Sequence, residues 1–335
     1  MIKARLFMIP GTAESQQAID DLKDMQITIP HELIVVDISS SPDLLQKYGE
    51  VAPVLLIGPY TLKTRFSRQE IMVALGAARD RENQAKKIDE AGWEERTRRG
   101  QTVSTADRVM LWLSKHYLGL FNVLLALYVG LPFLAPVFQK AGLTTPAKII
   151  YTIYSPLCHQ FAFRSYFLFG AQPYYPRELA GVEGVITYEQ IAPDPVENID
   201  YARTFIGDER LGYKVAFCER DIAIYGSMLL FGLIFAITGR RLKKIHWLIL
   251  GIVGVLPIGL DGLSQIPGIL DSGLAFGLLI RESTPLLRTI TGFLFGFLTA
   301  WFVFPLFEET MGDTREFLTE KIAVNTSQKN SHGNL

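Results

Sequence analysis

The chain has little sulfur: two cysteines in 335 residues, Cys158 and Cys218, are too few for a disulfide framework. It also has no charge excess, with 33 Lys and Arg against 34 Asp and Glu, so the electrostatic footprint of a nucleic-acid binder is missing. The first ten residues lack an apolar core followed by a small-residue cleavage site. No secretory signal peptide is therefore expected, and the N-terminal part is expected to stay cytoplasmic. What the chain has in quantity is apolar sequence, unevenly placed. Residues 1–108 are mixed and charged, whereas 111–307 hold nearly all the long apolar runs.

In the first part, residues 4–9 form a short apolar run, 11–15 a loop, and 16–25 carry helical spacing at Ala18, Ile19 and Leu22. A second β-branched run covers 33–38, and Ser41-Pro42-Asp43 is a helix start. Residues 51–57 and 62–66 read as two further strands. Ser67 with Glu70 three residues on is the pattern of a capping box opening a last helix through Ala78. This βαβαββα order, with Val35-Val36-Asp37-Ile38, the 43–48 segment and Ala52-Pro53-Val54, resembles a glutaredoxin-like thioredoxin fold over residues 1–80. That family places a cis proline at the third strand and a Cys-x-x-Cys or Cys-x-x-Ser in the first strand–helix loop. Here the loop is Pro10-Gly11-Thr12-Ala13-Glu14-Ser15, and no thiol precedes Cys158. Exchange needs an attacking thiolate. The resemblance thus implies an α/β domain without its catalytic cysteine, either a docking or regulatory module with a cytoplasmic protein partner or an inert solubilising domain. Residues 81–108 read as a charged helical linker.

The remainder is expected to be an all-α integral membrane domain over 109–309. Four spans are read at 117–138, 222–238, 245–260 and 285–307. The first, at about 1.5 Å per residue, crosses a ~30 Å hydrocarbon core. Residues 149–170 are apolar but broken at Ser155-Pro156, and 266–280 are short and contain Asp271; both read as re-entrant or interfacial segments. An outer loop covers 171–217 and a polar tail 310–335. Lys86, Lys87, Arg96, Arg98, Arg99 and Arg108 precede the first span, and Arg240, Arg241, Lys243 and Lys244 fill a tight turn. By the positive-inside rule both clusters are expected in the cytoplasm. The result is a multi-pass cell-membrane protein with the N-terminal domain and C-terminal tail inside. Cys218–Asp221, Asp261–Gln265 and residues 281–288 then lie near the outer boundary.

Those boundary groups are the ones hydrocarbon should exclude, which makes them functional-site candidates. Four motifs carry them: Ser155-Pro156-Leu157-Cys158-His159-Gln160 with Arg164, Cys218-x-Arg220-Asp221, Asp261-Gly262-x-Ser264-Gln265, and Arg281-x-Ser283 with Arg288 and Gly292-x-x-x-Gly296. In order and spacing they resemble the DUF2085 family of polytopic prokaryotic membrane proteins from about residue 149 to 296. The resemblance implies a fold neighbourhood and no reaction. Many members of that family have a cysteine at the position of Asp221, a departure that weakens a thiol–disulfide reading and leaves a mixed metal site open.

On their own chemistry, Cys158, His159, Cys218 and Asp221 are a four-ligand set of the S, N and O donors that zinc accepts. Cys218 and Asp221, three apart, share one helix face. A structural disulfide between the cysteines and a pair of unlinked, packed thiols remain alternatives. Arg164, Arg220, Arg281 and Arg288, with Gln265, read as binders of an anionic ligand, because guanidinium forks match phosphate and carboxylate. In that reading Arg288 is expected to point into the helix bundle towards Asp261 and the outer pocket; the competing reading is a buried Arg–Asp network that locks broken helices together. Gly292 and Gly296 read as a close helix–helix contact.

Three functions follow from these residues. The first is an outer pocket for an anionic, lipid-linked ligand, acting as a metal-assisted transferase or hydrolase with Asp261 as general base. The second is a lipid or small-anion transporter. The third is a membrane thiol redox protein using Cys158 and Cys218.

Overall fold

The computed structural model describes residues 2–192, 199–265 and 282–333. The chain forms two compact units, residues 1–115 with 310–335, and residues 116–309.

In the first unit, strand β1 (Ile2–Met8) leads through a Thr12-capped loop into helix α1 (Ala13–Met25), whose buried Ser15, Ala18, Leu22 and Met25 recur at helical spacing. Strand β2 (His31–Asp37) is followed by α2 (Pro42–Tyr48), with Pro42 in its first turn, where a missing N–H costs nothing. Strands β3 (Val54–Ile57) and β4 (Tyr60–Lys63) form a hairpin, and α3 (Arg68–Ile88) opens with the Ser67/Glu70 capping box. The sheet order is β2-β1-β3-β4, with β1 parallel to β2 and antiparallel to β3, and the Ala52–Pro53 bond is cis. One face of the sheet packs on α1 and α3 through Leu6, Leu22, Leu55, Ile71 and Leu75.

The other face is closed from the far end of the sequence. After α4 (Glu90–Gln101) and α5 (Thr105–Lys140), the last helix, α11 (Pro285–Gly333), supplies Val324 to a cluster of Phe7, Ile34, Val36, Leu44, Tyr48 and Val54. Glu320 accepts hydrogen bonds from Lys47 Nζ and, at 2.8 Å, from Tyr48 Oη. Lys321 Nζ meets Asp107 at 2.9 Å, and Gln328 Nε2 donates to Glu32 at 2.6 Å. Residues 310–335 were expected as a polar tail. The described part, to residue 333, is instead a helix whose apolar side completes a core.

The second unit contains most of α5 and α11, together with α6 (Thr144–Tyr154), strand β5 (Ser165–Leu168), α7 (Tyr188–Ile191), α8 (Ile199–Thr204), strands β6 (Gly207–Asp208) and β7 (Gly212–Cys218), α9 (Glu219–Ile237) and α10 (Trp247–Leu263). Among the described residues three helices, α5, α9 and α11, are long and apolar enough to cross a membrane. Four spans were expected; α10 is shorter, at about 25 Å, and carries a π-helical segment at Leu250–Val255. The long helices leave large apolar side chains uncovered, including Val123, Leu124 and Leu127 on α5 and Leu230 and Leu233 on α9. Contiguous exposed apolar faces of this size belong against hydrocarbon. Gly292 and Gly296 on α11 face α9, where an added Cβ would strike Arg220 O and Ala223 Cβ in the first case, and Ile224 O and Ser227 Oγ in the second.

Two other expectations change. Residues 149–170 form the end of α6, a turn and β5. The described part of 171–217 is folded, not a plain loop: β5, β7 and β6 make a three-stranded antiparallel sheet, and Phe163, Phe167, Tyr175, Tyr188 and Leu211 form a separate core. Aromatic side chains at the inner positions of this segment drive that collapse, which helical periodicity does not register. The 266–280 segment and Arg281 lie outside the described residues.

Candidate functional site

Strand β7 ends and α9 begins at Cys218, and this junction positions the site. Cys218 is the N-cap: its Sγ accepts from Asp221 N at 3.4 Å, the role usually played by a side-chain oxygen. The same thiol donates to Asp221 Oδ2 at 3.0 Å. Cys158 arrives from the turn after α6, where its N–H donates to Tyr154 O at 3.0 Å. One donor atom from each of Cys158, Cys218 and Asp221 lies within 4.8 Å of the others. Both cysteines are free thiols. Hydrogen bonding with Cys158, then burial, pushes the Cys218 thiol well above its ordinary range.

His159 stands apart from these three. It is exposed and stacks on Phe161 with ring centroids 5.3 Å apart. A cavity of about 270 Å³ joins the pieces, lined by Cys158, His159, Gln160, Cys218 and Asp221 together with Arg164, Arg220 and Arg288. Asp261 and Gln265 are not on its wall. Gln265 Nε2 donates to the Asp261 backbone carbonyl at 2.6 Å, closing the end of α10.

Each described arginine of the cavity has a carboxylate partner. Arg164 makes a fork to Glu282, Nε to Oε1 at 2.8 Å and Nη2 to Oε2 at 3.0 Å. Arg288 is 2% exposed and meets Glu282 through Nη2, while its Nη1 reaches Glu219 Oε2 and Phe163 O, each at 3.3 Å. Arg220 Nη2 pairs with Asp261. The expected pairing of Arg288 with Asp261 is therefore replaced: Arg288 serves Glu219 and Glu282, and Asp261 serves Arg220.

Glu219 and Glu282 were overlooked, although each sat as an unassigned position inside a quoted motif. A carboxylate one to six residues from arginines at the head of an apolar helix was the available signal, since unpaired charge there is costly. Lys214 was overlooked too. It is fully buried, flanked by apolar residues in β7, and donates to Gln160 O at 2.7 Å and Arg203 O at 2.8 Å. Burial pushes its ammonium down to about 7.

Residues 201–302 match a family model described as "Predicted membrane protein (DUF2085)". This stretch contains Cys218, Arg220, Asp221, Asp261 and Arg288 and begins after Cys158, His159 and Arg164, so it is narrower than the resemblance traced over 149–296. The chain is 26% identical over 206 residues to an uncharacterized protein of Methanocaldococcus jannaschii, covering 59% of this chain and 96% of that one. No solved structure matches.

Proposed function

We propose that this membrane protein binds a thiophilic divalent metal, with zinc the first candidate, on Cys158, Cys218 and Asp221, leaving a coordination position open to the cavity. The observation that carries the reading is the gathering of two thiols and a carboxylate from separate chain segments within 4.8 Å on a cavity wall. Charge supports it. Arg164, Arg220 and Arg288 pair with Glu219, Glu282 and Asp261, and Asp221 is in none of these ion pairs but sits beside the two thiols.

Three protein ligands and an open position are the pattern of reactive metal sites, where the ion polarises a bound oxygen. Arg164 and Arg220, at 32% and 24% side-chain exposure, face the space where an anionic, lipid-linked substrate would lie. The reaction class is accordingly a metal-assisted transferase or hydrolase, with Asp261 orienting Arg220 in place of acting as the base.

Elemental analysis of the purified full chain beside a thiol count under non-reducing conditions tests this. One metal per chain, lost in both Cys158→Ser and Cys218→Ser, supports the site. No metal and no titratable thiols would instead favour the disulfide and redox reading, which the short separation of the sulfurs also allows. Two free thiols without metal would sink both.

The orientation with the Arg240–Lys244 turn and both termini in the cytoplasm belongs to the same proposal, as does a glutaredoxin-like first unit serving as a docking module. The βαβαββα order supports the latter. Labelling of a cysteine introduced at Glu183 from the cytoplasmic side alone would reverse the orientation.

A further inference from the structure

The turn that carries Cys158 and His159 is held in a way that the metal reading does not require for charge or ligation. At its start, Arg203 Nη2 donates to Ser155 O at 2.8 Å and to Ser155 Oγ at 2.6 Å. At its end, Gln160 is buried with φ +55°, in the left-handed region a side chain seldom occupies. Its amide donates to Tyr151 O at 2.9 Å, and its carbonyl accepts from Lys214 Nζ. The same ammonium reaches Arg203 O, and the Lys214 backbone carbonyl accepts from Tyr151 Oη. Two ends of one turn are thus tied to a single buried lysine, one directly and one through Arg203.

A lone buried ammonium is a costly way to hold a loop when apolar packing would serve. It is suited to a different task. Its hydrogen bonds are directional, two of them fix two carbonyls in one geometry, and β7, which bears Lys214, also bears Cys218 four residues on. The distance between the two cysteines is set by this arrangement: one is at the end of the strand, and the other is on the turn fastened to that strand.

We propose that Lys214 is a positioning residue for the cysteine site, clasping the Ser155–Gln160 turn to β7 through the Gln160 and Arg203 carbonyls and so fixing Cys158 within reach of Cys218. This rests on the metal reading only for its use, not for its geometry, and the test separates the two.

The full chain in detergent is compared with Lys214→Met and Arg203→Gln in two assays. The first is the rate of Cys158–Cys218 cross-linking by diamide, in which the two thiols are oxidised to a disulfide and the diazene is reduced to its hydrazine. The second is cobalt affinity, followed by the thiolate-to-cobalt charge-transfer band. Both variants should cross-link at least about 10-fold more slowly, and cobalt affinity should fall by roughly 10–100-fold, the range seen when support of metal ligands is lost. A merely structural role would change the melting temperature yet leave the folded fraction cross-linking and binding like the unaltered protein, and that result overturns the clasp. If the unaltered protein takes no cobalt but the variants cross-link slowly, the clasp stands and the metal reading falls. If Lys214→Met fails to fold, Lys214→Gln takes its place beside Arg203→Gln, which frees only the Ser155 end of the turn.

Discussion

The two units solve the problem of burial in opposite ways. In the first, both faces of a four-stranded sheet are covered by aliphatic and aromatic side chains, and its charged groups meet outside the core, as Lys47 does with Glu316 and Glu320. In the second, Lys214, Glu219, Asp261, Glu282 and Arg288 are buried outright. An apolar core is the more economical source of stability, and a buried ion network is often no better than hydrophobic residues of the same shape. The contrast teaches where specificity is concentrated: a fold that needed stability alone would have no reason to bury five ionisable side chains in one unit.

Deleting residues 310–335 from the full chain should break the comparison most severely. Leu318 and Val324, at 5% and 7% exposure, would be lost with the rest of the helix end. At about 1.5–3 kcal/mol for each buried side chain, the first unit should lose roughly 3–6 kcal/mol. Hydrogen exchange should report lost protection at Phe7, Val36 and Val54, with Phe217 unaffected. Unchanged protection in β1 and β2 would mean that α11 is dispensable to that core.

Arg288→Leu comes next. It leaves Glu219 and Glu282 as buried carboxylates without their shared cation, a loss of about 3–5 kcal/mol for breaking such a network. Arg288→Lys should cost less, because charge is retained while the fork is lost. Unfolding in mixed detergent micelles would measure both, and equal stability of the two variants would show that the fork geometry is immaterial.

Gly296→Ala drives a methyl group into the α9 backbone at Ile224 and into Ser227. Such overpacking costs about 1–3 kcal/mol. Ala at Gly251, where a Cβ meets nothing within 4 Å, is the matched control and should be nearly neutral in the same unfolding assay.

The smallest effect is a pH dependence. Lys214 has a folded-state pKa lowered to about 7 from 10.5, so between these values the unfolded chain binds more protons than the folded one. Stability should therefore rise with pH across this window, by about 1 kcal/mol from pH 7 to 8, and be lost as pH falls towards 7. The groups acting on it are burial first, then Cys158, which favours the charged form, and Arg203, which opposes it. Lys214→Met should flatten the slope. A slope that persists in that variant belongs to another group.

Much of the first unit was legible because strand and helix leave different apolar periods. Ala18 and Leu22, the Ser67/Glu70 box and Pro42 each declared an element locally. The site was legible only as an inventory. Cys158, Cys218, Asp221, Arg164 and Arg288 stood out because charge and sulfur are conspicuous in apolar sequence, but pairing is not a local property. Arg288 was matched to Asp261 on the strength of position near a boundary, while its partners, Glu219 and Glu282, come from two other stretches. His159 was grouped with its neighbours by adjacency, and adjacent side chains at a turn need not converge.

The sequence by itself determined three of the four segments read as membrane spans, the βαβαββα order of the first unit, and the absence of any thiol in its first loop. Composition and short-range periodicity are sufficient for these. Only tertiary structure decided that α11 closes the first unit's core, that β5, β6 and β7 form a sheet beside an aromatic core, and which carboxylate neutralises which arginine. Those outcomes depend on contacts between residues up to 296 positions apart, as between Glu32 and Gln328, and the free energy that selects among them arises only when distant surfaces exclude solvent together.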